Sequence, residues 1–163
     1  MAASTHHADH AFLLQKVQPA MIGLIDGSLS TLAPIFSVAI ISHNPFYAFV
    51  AGLATSFGAG ISMAFSEGLS DTGELTGRGS PIVRGGITGV GTFIGGILHS
   101  LPFLIPSYHA ALVTALLVVA LELIALAALR AKFFSTSFTT SLAAVTLAGA
   151  VIVAVSVTLG VTL

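Results

Sequence analysis

The chain has 163 residues, of which 55% are hydrophobic and only 7% charged, against about 25% charged in soluble domains. So little charge excludes a soluble globular domain, and a net charge of −1 gives no reason to expect nucleic acid as a partner. With no cysteine there is no disulfide, thiolate metal site or thiol nucleophile.

Residues 1–17 read as a polar cytoplasmic tail carrying His6, His7, Asp9, His10 and Lys16. The histidines are either a metal pre-binding cluster or an ordinary solvated tail. The remainder, 18–163, reads as one all-α transmembrane domain. A bilayer core of about 30 Å needs about 20 helical residues. The sequence offers such stretches at about 18–42, 46–69, 82–105, 108–130 and 135–162. The first is too long, and too polar at its centre, for the core of a signal peptide. With five spans, Lys16, Arg78, Arg84, Arg130 and Lys132 all fall on the side of the N-terminus. The positive-inside rule makes that side cytoplasmic.

In the first span Asp26, Ser30, Pro34 and Ser37 recur at near-helical spacing. A carboxylate in hydrocarbon is costly unless it meets water, a cation or a partner. Pro34 has no N–H, so the Ser30 carbonyl loses its usual donor and becomes a second oxygen near Asp26. Asp26 is thus either an ion ligand or a packing hydrogen-bond partner in a kinked helix.

The second span places Gly52, Ser56, Gly60, Met63 and Glu67 on one periodicity. Carboxylates with one thioether suit a borderline transition ion better than Ca²⁺ or Mg²⁺. Core filling is the other reading of Met63. The glycines at 85, 86, 89, 91, 95 and 96 of the third span read as close helix packing. In the fourth span Glu122 is either a functional carboxylate or a protonated acid paired with a hydroxyl of the fifth span. His43, His99 and His109 are expected near the surface opposite the cytoplasm. There they line an exit, bind protons or have no role.

Asp26-Gly27 in the first span, and Ser62-Met63-Ala64 followed by Glu67 and Leu69-Ser70 in the second, resemble the vacuolar iron transporter family. Leu75-Thr76-Gly77-Arg78-Gly79-Ser80-Pro81 and His99-Ser100-Leu101-Pro102 are most similar to the membrane half of bacterial membrane-bound ferritin (erythrin-type) iron exporters. The similarity spans roughly 18–162.

The resemblance implies a five-helix homodimer in a bilayer, more in keeping with a bacterial inner membrane than a vacuolar one. It implies export of Fe²⁺ from the cytoplasm in exchange for protons, along the dimer axis, with Mn²⁺, Co²⁺ or Zn²⁺ as alternative cargo and no cofactor. Asp26 and Met63 are then the ion ligands and Glu67 the carboxylate at the cytoplasmic mouth. Ser30, Glu122, His6, His7 and His10 are secondary metal candidates.

Burial favours the neutral form of a carboxyl group and a divalent cation the ionised form. Asp26 and Glu67 are therefore the expected proton-coupling residues. The chain departs from plant-type members in lacking a Glu-rich insert between the second and third helices, and in carrying Thr55 where they place a glutamate. It also lacks a ferritin-like domain ahead of the first span, so a separate ferritin-like iron donor is an expected partner. The rival reading is a non-transporting membrane anchor for such a partner. No enzyme is expected, since the spans hold no Ser/His or Cys/His constellation and no His-Glu-x-x-His motif.

Overall fold

The computed structural model describes residues 10–162, all of them helix, turn or short connection. Five helices are long and apolar enough to cross a membrane: α1 His10–Ser42, α2 Pro45–Gly68, α3 Pro81–Leu98, α4 Tyr108–Phe134 and α5 Phe138–Thr162. The protein is therefore an integral, multi-pass helical membrane protein.

At about 1.5 Å per residue α1 is about 50 Å long, well beyond the hydrocarbon thickness. Its first turns, π-helical over Leu13–Val17, reach the α2–α3 connection, where Gln15 Nε2 donates to the Gly77 carbonyl at 3.1 Å. The helix is already formed at His10, the first described residue, where the sequence suggested a tail to residue 17. It is interrupted once, at Thr31, between α-helical stretches Gln18–Ser30 and Leu32–Ser42. Pro34 explains the break, since it withholds the N–H that the Ser30 carbonyl expects.

Short connections fix the order of the helices. His43 adopts a left-handed conformation (φ 48°) to end α1, and the Asn44 side chain accepts from the Phe46 N–H at 3.0 Å to start α2. In the α2–α3 connection Gly73 has φ +82°, and a β-carbon there would overlap the Gly79 carbonyl. Only glycine fits. The third helix ends at Leu98, short of the expected boundary at 105, and a 3₁₀ turn follows over Leu101–Leu104. Pro102 accounts for the early stop, since it has no N–H to give the Leu98 carbonyl.

Packing centres on α3, whose glycines let neighbouring backbones approach as the sequence predicted. A β-carbon on Gly27 of α1 would overlap the Thr92 carbonyl, and one on Gly85 would press on the Ala64 carbonyl of α2. A second core joins the C-terminal half of α1 to α2, α4, α5 and the 3₁₀ turn through Leu32, Ile35, Ala48, Phe103, Ala115 and Val145. Large apolar side chains such as Phe65, Leu117 and Leu147 point outward, the pattern that lipid contact requires.

Candidate functional site

Asp26 lies in the inner stretch of α1, half-buried, with Ser30 exposed one turn further on. Gly23 and Gly27 turn toward α3, and the helical spacing puts Asp26 on a different side of α1. Among the described residues its carboxylate makes no hydrogen bond or ion pair. Of the rest of the expected polar stripe, Ser37 has a partner on another helix: it donates to the Ser156 carbonyl of α5 at 3.2 Å.

Along α2, Gly52, Ser56, Gly60 and Glu67 are buried and Met63 is half-buried. Three of the buried positions have α3 or its C-terminal end as neighbour: Gly52 meets Ser100, Ser56 lies against Gly96, and Gly60 approaches Gly89. Met63 sits at the margin of that face. Glu67, one turn on, meets arginine instead of Asp26 or Met63.

That meeting is a closed ion-pair cluster where α2 ends and α3 begins. Glu67 Oε1 accepts from Arg78 Nη2 at 2.6 Å and from Arg84 Nε at 2.9 Å. Asp71 accepts from Arg78 Nη1 at 2.9 Å and Arg84 Nη1 at 3.2 Å. Arg84 is wholly buried and also donates to the Asp71 and Gly79 carbonyls. Two guanidinium groups thus neutralise two carboxylates, and the forks fix the geometry of the connection. Burial pushes the Asp71 carboxyl up. Hydrogen bonds from Arg78, Thr76, the Gly73 backbone and Arg84 outweigh it and hold Asp71 below its ordinary 3.8.

A third polar group lies between the helices. Glu122 of α4, whose side chain is 9% exposed, meets His99 Nδ1 through Oε2 at 3.0 Å. His99 Nε2 lies 2.8 Å from Thr31 Oγ1, and the Thr31 hydroxyl donates to the Gly27 carbonyl at 2.8 Å. His99 is fully buried at the end of α3. Glu122 takes a histidine as partner, where a hydroxyl of α5 was one of the two readings from sequence. Its second oxygen, Oε1, is buried with no partner. Thr31 was not singled out from sequence, although its position three residues before Pro34 marked the turn that α1 has to break.

The other histidines are apart from this group. His43 stacks on Tyr108 with centroids 5.0 Å apart, His109 lies edge-on to the same ring, and His10 is exposed at the start of α1. His6 and His7 lie outside the described residues. Among the described residues no three His, Asp or Glu side chains gather in a group able to hold a metal ion. No protein-family model matches the chain, and no curated protein or solved structure does either.

Proposed function

We propose that the protein is a transmembrane cation transporter that exports Fe²⁺ from the cytoplasm in exchange for protons. Mn²⁺, Co²⁺ and Zn²⁺ are the competing cargoes, because carboxylate and thioether ligands do not fix the metal. The observation that carries the reading is Asp26: a carboxylate on a membrane-spanning helix, half-exposed and without a partner among the described residues. Such a group needs a cation, water or a second protein surface. The resemblance of Asp26-Gly27 and Ser62-Met63-Ala64 to vacuolar iron transporters supplies the choice of ferrous iron.

One chain contributes a single carboxylate and a single thioether to this path, too few to enclose an ion. A two-fold dimer doubles both, and the side of α1 that carries Asp26 and Ser30 is the natural seam. Glu67 enters the reading differently from Asp26. Two arginines hold it, so a cation arriving at the cytoplasmic mouth has to compete with them.

Purified protein in proteoliposomes, loaded with an Fe²⁺-sensitive dye under anaerobic conditions, tests the reading. Wild type is expected to move Fe²⁺, and Asp26→Asn and Met63→Ala to lose that flux while remaining folded and dimeric. Undiminished flux in Asp26→Asn rejects the path. A wild-type protein that moves no ion but retains a ferritin-like donor at the membrane identifies an anchor instead.

A further inference from the structure

We infer that His99 and Glu122 form a proton-binding site in the membrane interior, separate from Asp26. On the transport reading above, this pair carries the counter-transported proton. The inference starts from Thr31. Its N–H turns to the Leu29 carbonyl where α1 breaks, and its hydroxyl donates to the Gly27 carbonyl instead. A hydroxyl has one proton to give. With that proton committed to Gly27, Thr31 Oγ1 is an acceptor toward His99, and Nε2 must be the donor across the 2.8 Å contact.

The tautomer then fixes the other side of the ring. Nδ1 and Glu122 Oε2, 3.0 Å apart, are joined by a single proton. It sits on the imidazole facing a carboxylate, or on the carboxyl group facing a neutral imidazole. Both forms keep the hydrogen bond and carry no net charge, which the low-dielectric interior demands. Removing the proton sets the Nδ1 lone pair against a carboxylate and breaks the bond. A second proton has a place as well: Glu122 Oε1 is buried and unpartnered. Protonation there leaves Oε2 free to accept from Nδ1–H.

Among the described residues, no neighbouring element brings another ionisable group to the pair. α1 contributes Thr31, while its His10 and Lys16 lie in its first turns and Asp26 lies on a different side. The Glu67 of α2 and the Arg84 of α3 are bound to each other, and Tyr47 is exposed near the start of α2. On α4, Tyr108 and His109 meet edge-on at its first turn, and Arg130 and Lys132 sit in its last turns. α5 has no ionisable side chain, and the Leu101–Leu104 turn has none either. The pair also meets α1 at its one interruption, five residues beyond Asp26 in sequence. Gain or loss of the proton therefore acts on the hinge of the helix that bears the cation carboxylate.

Glu122→Gln is the discriminating substitution. The glutamine amide still donates to Nδ1 of an Nε2–H imidazole, so the chain of hydrogen bonds survives while the exchangeable proton is lost. In proteoliposomes with an internal pH dye, wild type is expected to couple Fe²⁺ movement to proton movement. Glu122→Gln and His99→Gln are expected to pass Fe²⁺ down its gradient with no proton flux and no response to a pH gradient. Asp26→Asn is expected to lose both fluxes. Coupled proton flux surviving in Glu122→Gln overturns the inference, and so does wild-type Fe²⁺ flux without protons; neither result touches the cation path.

A second measurement stands even if no cation moves. Nitrogen NMR of ring-labelled His99 is expected to show Nε2 protonated, and a pH-dependent Nδ1 signal that Glu122→Gln abolishes. An unprotonated Nε2 in the wild type, or an Nδ1 signal indifferent to Glu122→Gln, overturns the proton site itself.

Discussion

Replacing Arg84 by methionine removes the most buried charge of the α2–α3 ion-pair cluster while keeping a similar apolar stem. The Arg84 side chain is 1% exposed and that of Glu67 9%, so water screens the pair little. Breaking one partner out of a buried ion pair costs about 3–5 kcal/mol, because the other charge is left uncompensated. Arg78 Nη2 stays on Glu67 Oε1 at 2.6 Å, so Glu67 keeps one cation. The expected loss is therefore at the low end, about 3 kcal/mol.

Unfolding in mixed micelles of rising SDS content, followed by circular dichroism, measures that loss. The cycle with Glu67→Gln isolates the pair, with a coupling of about 0.5–3 kcal/mol expected for groups in one network. A loss within about 0.5 kcal/mol of wild type, the usual range for an uninvolved surface position, refutes the account of Arg84 as the buried keystone of this connection.

Other consequences follow from the same geometry. Asp71 is held below its ordinary value, so the stability it confers is present above that value and is lost as pH falls through the lower, folded one. Acid titration of unfolding in Asp71→Asn should lack this loss, and an unchanged acid limb would remove the claim. Gly27→Ala drives a β-carbon into the Thr92 carbonyl and should cost about 1–3 kcal/mol, as overpacking does. Gly58→Ala, with nothing within 4 Å, should be neutral or stabilise by up to about 1 kcal/mol through helix propensity. Equal effects at the two glycines in the same unfolding assay would contradict the close contact of α1 with α3. Thr31→Val removes the acceptor of His99 Nε2, so the ring tautomer read by nitrogen NMR should become mixed. A tautomer unaffected by Thr31→Val would show that Glu122 alone sets it.

Sequence by itself determined the number of helices, their approximate spans, the glycine-lined contacts of α3 and the break that Pro34 imposes near Thr31. Each follows from local rules: length of apolar runs, absence of a side chain, absence of an N–H. It also marked Asp26, Glu67 and Glu122 as the intramembrane carboxylates, since any charge stands out in so apolar a chain. Partner choice was settled only by tertiary structure. Periodicity put Glu67 on one stripe with Met63, yet that stripe packs against α3, where Arg84 waits. From sequence, His99 was one of three histidines expected near the membrane surface opposite the cytoplasm, with no partner in view. The helix stops at Leu98, and the histidine is buried between Thr31 and Glu122. Residues 23 and 68 positions apart in the chain meet only because three helices converge. The energy of burying an ionisable group depends on what it faces, and only the packed helices decide that.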